Sequence, residues 1–187
     1  DVIDYVMAAQ SDLREGLGRF ERYFAIVSTG VKHTLVEEGE NARLERRYAP
    51  GAHTSIGHPA EFAFACVLLR VRKMTGTELR PLEVRFAHAR PIDDREAREV
   101  FDCPLHFDAP FSSMLFDRAA LDLPMSRPEP QLAIILERHG DAMLASLPAT
   151  TSDDIRSRAK EAIIEGLKLC RTSVPEIAKR LGMSERT

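Results

Sequence analysis

The stretch Ser173-Val174-Pro175-Glu176-Ile177-Ala178-Lys179-Arg180-Leu181-Gly182-Met183-Ser184-Glu185-Arg186-Thr187 organises the reading of this chain. Ile177 and Leu181 lie four apart and share one helix face. Ala178 is small enough for a second helix to cross against it. Gly182 can adopt the left-handed backbone that ends the first helix. Met183 fills the corner, and Ser184 is a good N-cap for the helix that follows. An ordinary helix closed by a glycine would share Gly182 alone. The joint placement of Ala178, Gly182 and the apolar positions points instead to the first helix and turn of a helix-turn-helix. The second helix of that motif enters the DNA major groove. Ser184, Arg186 and Thr187 are the candidate DNA-contacting residues. With the recognition helix stopping at Thr187 and the chain starting at Asp1, both ends look cut. The 187 residues alone are expected to bind an operator no better than random DNA.

Working back from that stretch, charge changes sign. From Asp153 onward there are eight Lys/Arg against six Asp/Glu, net +2, so residues 1–152 carry −5 of the total of −3. Hydrophobic content of 44%, mean hydropathy of −0.23 and a pI near 6.1 are values of a globular domain without a dedicated nucleic-acid surface. Cys66, Cys103 and Cys170 are widely spaced, and an odd count fits a reducing compartment. No signal peptide or 18-residue apolar run occurs, so the expected location is the cytoplasm, with no membrane partner.

Pro148-Ala149-Thr150-Thr151-Ser152 reads as the end of one unit and a linker. The domain boundaries that follow are 1–148, a linker at 149–153, and 154–187 as the start of the DNA-binding part. Ile155, Ala159, Ile163 and Leu167 form one row of a helix over 154–170. In the first unit, Val2, Ile3, Val6 and Met7 are helically spaced. Residues 11–29 form a helix with Leu13, Leu17, Phe20 and Phe24 in a row and Ser11 as its cap. Val31–Glu37 and Ala42–Tyr48 make a β-hairpin around Glu38-Gly39-Glu40-Asn41. The charged second arm is read as a half-exposed edge, with Arg43, Arg46 and Arg47 alternating with Glu45 on a solvated face.

A helix over 59–74 follows, with Gly76 past its end. Its rows Phe62, Cys66, Leu69, Lys73 and Ala65, Leu68, Arg72 make it apolar on more than one side, as if buried against a sheet. Leu82, Val84, Phe86 and His88 alternate as the inward face of a strand. Asp93-Asp94-Arg95-Glu96 starts a short helix ending near Phe101. Residues 104–107 and 112–116 read as short strands, and 128–147 as a helix with Leu132, Ile135, His139, Met143 and Leu147 along one side. The fold class is therefore α+β: a small, mostly antiparallel sheet packed with helices, then a helical C-terminal extension carrying a partial helix-turn-helix.

Stretches of this chain resemble a known family. The ending from Pro175 to Thr187 resembles the first of the two helix-turn-helix units of AraC/XylS-type transcription regulators. The segments 58–65, 82–86, 101–107 and 116–124 are similar, in that order, to the arabinose-binding-like effector domain of one branch of those regulators. The resemblance covers residues 11–187. It implies a bacterial, cytoplasmic regulator whose N-terminal domain senses a small organic effector and forms a homodimer, while the C-terminal domain binds DNA. Arabinose itself is not implied.

The candidate effector lining is Phe62, Cys66, Phe86 and His88, between the sheet and the helix over 59–74. An apolar cavity with one or two polar groups suits a small organic molecule. Two other readings stand beside it. One is a ligand-free dimerisation module, which a closed core without a ligand-sized cavity would favour. The other is an enzyme pairing Cys103 with His106. No G-x-S-x-G, phosphate loop or G-x-G-x-x-G occurs, so no catalytic residue and no cofactor is assigned. His53 and His58 flank Thr-Ser-Ile-Gly without a third ligand, so no metal is assigned either. Asp93-Asp94 is better explained as a helix cap than as an acid pair.

Overall fold

The computed structural model of the protein describes residues 2–48 and 58–147. By packing, the chain divides into Asp1–Ser146 and Leu147–Thr187. Residues 148–187, where the helix over 154–170, the helix-turn-helix and the candidate DNA-contacting Ser184, Arg186 and Thr187 are expected, lie outside the described residues.

Helix α1 spans Val2–Ala8 and buries Ile3, Val6 and Met7. Helix α2 spans Leu13–Tyr23 and buries Leu13, Gly16, Leu17, Phe20 and Tyr23. Its cap is Asp12, not Ser11: the Asp12 carboxylate accepts from the Glu15 N–H at 2.9 Å. Glu15 reaches back to the Ser11 N–H and hydroxyl, a reciprocal arrangement of the capping-box kind. The helix stops at Tyr23 rather than at residue 29, tightening into a 3-10 turn at Phe24–Ile26. The β-branched Ile26 and Val27 are poor at continuing it.

Strands β1 (Val31–Glu38) and β2 (Asn41–Tyr48) form the expected hairpin. Gly39 takes φ 60° in the two-residue turn, a conformation that glycine adopts without penalty. Strands β3 (Glu83–Arg85), β4 (Leu105–His106) and β5 (Ser112–Asp117) complete a five-stranded sheet in the order β1-β2-β5-β3-β4. Only the β3–β4 pair is parallel. Strand β2 is therefore interior, flanked by β1 and β5, and the expectation of an edge strand is overturned. Its charges are sorted by face. On the outer face Glu45 is bridged by Arg43 at 2.9 Å and Arg47 at 2.8 Å, with the Phe111 ring 3.7 Å from the Arg47 guanidinium carbon. On the inner face lie Ala42, Leu44 and Arg46, all buried. Arg46 thus leaves the solvated row in which its neighbours suggested it belonged.

Helix α3 spans His58–Thr75. Its core stripe is Ala60, Phe64, Val67, Leu68 and Val71, an i, i+4, i+7, i+8, i+11 series. The row Phe62, Leu69 and Lys73 points outward, so the helix is amphipathic rather than buried all round. Gly76 closes it with φ 69° and an N–H donated to the Arg72 carbonyl. Helix α4 spans Arg95–Phe101; Asp93 accepts from the Arg95 N–H at 3.1 Å, and Asp94 pairs with Arg98 and Arg90. Those hydrogen bonds hold both carboxyls below the usual range, Asp93 through Arg95 and Asp94 through Arg98.

Helix α5 spans Pro130–Ser146 and buries Ala133 and Gly140. Leu136 and Leu144 pack against the core beside them, while Ile134 and Ile135 are exposed. Of the row Leu132, Ile135, His139, Met143 and Leu147, Ile135 and His139 are exposed and the other three half-buried. The Tyr23 ring fills the space that a side chain at position 140 would need. A Cβ on Gly140 would meet Tyr23 Cε1 at 2.8 Å, and the Tyr23 hydroxyl donates to Asp141 at 2.8 Å. Two glycine substitutions should therefore act in opposite directions. Gly18→Ala, with nothing within 4 Å of the new Cβ, is expected to raise stability by about 0.5–1 kcal/mol through helix propensity. Gly140→Ala gains the same propensity but displaces a buried ring, for a net loss of about 1–3 kcal/mol. Urea midpoints of the two variants check both signs.

Candidate functional site

The core lies between the inner face of the sheet and the helices, and aromatic rings fill it under α3. Phe86 is wholly buried. Its ring centroid is 5.1 Å from His88, 5.6 Å from Phe107, 5.8 Å from Phe101 and 6.3 Å from Phe64. His88 is buried as well. Its Nδ1 lies 2.8 Å from the Ala89 carbonyl and its Nε2 3.4 Å from the Glu61 carboxylate. Of the four residues expected to line one cavity, Phe86 and His88 come together. Phe62 does not join them: it is 72% exposed on the outer side of α3, and Cys66 is half-buried. Phe62 instead lines a groove of about 630 Å³ with Pro59, Glu61, Ala65, Ala97 and Phe101.

The Cys103/His106 pairing has no support in the geometry. Burial pushes the Cys103 thiol up to about 11, with Asp102 adding to it, so the thiolate needed for attack is scarce near neutrality. His106 is exposed and lies 3.4 Å from Glu83. Among the described residues, no group of three His, Cys, Asp or Glu is placed to hold a metal ion, and no helix is long and apolar enough to cross a membrane. His53 lies outside the described residues.

The inner sheet face carries polar groups that the residue-by-residue reading of the chain did not single out. His33 on β1 stands opposite Arg46 on β2, and Arg46 stands opposite Ser112 on β5. The three are buried, at 1%, 6% and 1% exposure. An Arg46 Nη1–H donates to His33 Nε2 at 3.3 Å, and the guanidinium carbon lies 5.2 Å from the Tyr48 ring. The His33 ring is enclosed by Phe24 and Phe20, at 4.2 and 4.8 Å. Ser112 Oγ accepts from the Ala87 N–H at 3.1 Å, so the polar row runs across the sheet to the segment holding Phe86 and His88. A signal for this row was present in the sequence. A two-residue turn at Gly39-Glu40 forces His33 opposite Arg46, on the same face as Leu35 and Leu44.

The fold defines the class of protein first: an α+β domain whose helix-covered sheet face buries a charged and polar row. Residues 1–125 match the family model of the arabinose-binding domain of AraC transcription regulators, N-terminal, and the chain belongs to that family. A solved structure with the same fold is that of the transcriptional regulator CdpR from Pseudomonas aeruginosa. It is 14% identical, with a TM-score of 0.54, and the likeness covers 99% of this chain and 60% of that one. This chain thus spans less than two thirds of that protein's length. No curated protein matches the chain.

Proposed function

We propose that residues 1–148 are the effector-sensing and dimerisation part of an AraC/XylS-type transcription regulator, joined by 149–153 to the start of a helix-turn-helix DNA-binding domain at 154. In the whole regulator Ser184, Arg186 and Thr187 would belong to the DNA-contacting motif. The observation that carries the reading is the family match over residues 1–125. The effector would engage the polar row His33–Arg46–Ser112 on the inner sheet face rather than the space beneath α3, which Phe64, Phe86 and Phe101 occupy. A ligand there acts by binding two arrangements of the regulator unequally. A thermal-shift screen of small organic molecules tests this: an effector at about 100 times its dissociation constant adds roughly 2.7 kcal/mol. A screen in which nothing moves the melting temperature turns the reading toward the alternative.

That alternative is a ligand-free dimerisation module. The closed packing under α3 and the exposed Ile134 and Ile135 on α5 favour it. Both readings share a homodimer, since such regulators present paired readers to DNA. We expect the dimer contact on α5, with the outer surface of α2 as the other candidate. Ile135→Glu, at a residue 63% exposed, should leave the melting temperature nearly unchanged and convert dimer to monomer by light scattering. A monomeric wild type at high micromolar concentration would refute this part.

A further inference from the structure

Among the described residues, Arg46 is a buried cation with no carboxylate paired to it. Among the described residues its contacts are His33 and the Tyr48 ring, and its Nε–H has no hydrogen-bond partner. His33 Nε2 accepts from Arg46, so the neutral imidazole carries its proton on Nδ1. That Nδ1–H is also buried and unpartnered. Glu45, adjacent in sequence, faces the opposite side of the sheet and is taken by Arg43 and Arg47. Buried charges are paired or coordinated in folded proteins, because stripping water from an isolated ion is costly. A contact with one aromatic face offsets only part of that cost. Among the described residues, the Arg46 Nε–H and the His33 Nδ1–H have no partner and no carboxylate is paired with the Arg46 charge, which asks for an acceptor-only group carrying negative charge. A carboxylate is such a group, and arginine's planar fork matches it with two parallel hydrogen bonds.

We propose that Arg46, with His33 beside it, seats the carboxylate of a small organic acid, which is the effector of this domain. The assignment rests on the effector-sensing reading above and narrows it to a chemical class. The rings of Tyr48, Phe20 and Phe24 make the surroundings of the pair apolar, which strengthens such a charge-assisted contact. Neutral sugars fit poorly, since they would leave the guanidinium charge uncompensated.

The test uses melting temperatures of the 187-residue protein, wild type and Arg46→Met. The probes are sodium benzoate and sodium hexanoate against equal sodium chloride, with benzamide and hexanamide as uncharged matches. Without any probe, Arg46→Met should melt at or above the wild-type temperature, because it removes an uncompensated charge. A large fall would mean that Arg46 is already paired within the protein, and would overturn the proposal. With probe at about ten times its dissociation constant, the acids should raise the wild-type melting temperature by about 3–6 °C. The amides should not, and Arg46→Met should respond to neither. Shifts by amides as large as by acids, or acid shifts that persist in Arg46→Met, would place ligand binding elsewhere and sink the carboxylate assignment while leaving effector sensing standing. No shift by either acid beyond chloride would also overturn it.

Discussion

Replacing Phe86 with alanine is expected to lower the unfolding free energy by ~3–5 kcal/mol, the range for deleting a buried phenylalanine. The ring is wholly buried and has aromatic neighbours on several sides. Phe64, Phe101 and Phe107 come from three different segments, so collapse around the vacancy would need several elements to move together. The loss therefore belongs at the upper part of the range rather than the lower. Phe62→Ala is the control. It lies on the same helix as Phe64 but is 72% exposed, and should change stability by no more than about 0.5 kcal/mol. Urea melts of the two variants measure the difference. If Phe86→Ala costs under about 1.5 kcal/mol, the ring borders empty space, and the pocket beneath α3 returns as the effector site. If the loss is full and ligand response survives in the folded variant, Phe86 is scaffold.

The second large effect is acid lability set by His33. Burial, with the Arg46 charge adding to it, pushes its pKa from 6.5 down to about 3. The folded-state value lies below the unfolded one, so the stabilising contribution is complete above pH 6.5 and is lost progressively as pH falls toward 3. In that window the unfolded chain takes up a proton that the folded protein refuses. Well below pH 6.5 each pH unit costs about 1.4 kcal/mol, and pH 8 to 5 costs about 2 kcal/mol in all. Most carboxylates stay ionised above pH 5, so the slope there reports histidine. His33→Gln should abolish most of that slope, whatever it does to stability at pH 8. Unfolding free energies at pH 8, 6.5, 5.8 and 5 for both proteins decide the matter. A wild-type curve flat across this range, or an equal slope in His33→Gln, would show that His33 is protonated in the folded protein.

Much of the first unit was legible from local pattern. The hairpin followed from two strand-like runs around a Gly39 turn. Helix α3 followed from Pro59 at its start and Gly76 past its end, α4 from the Asp93-Asp94 start, and the mostly antiparallel sheet from the spacing of the short strands. Those features depend on residues a few positions apart, and the physics that sets them is equally local: caps, turns and hydrophobic periodicity. The family was legible too, because the ordered segments from residue 58 onward resemble its effector domain, and the match over residues 1–125 establishes membership.

What sequence alone left undecided was which side of each element the rest of the molecule would cover. Strand β2 looks like an edge by composition, yet β5 pairs along its far side and makes it interior. Helix α5 leaves Ile134 and Ile135 exposed while Leu136 and Leu144 pack on the core, and the Tyr23 ring occupies the place a side chain at Gly140 would take. Helix α3 exposes Phe62 while Phe64, against Phe86, and Leu68 are buried on its other side. In each case the decision belongs to a partner distant in the chain, and close packing lets only one of two chemically similar faces fit. The buried His33–Arg46 pair has the same origin: its register is local, but its removal from water required α2, with Phe20 and Phe24, to close over it.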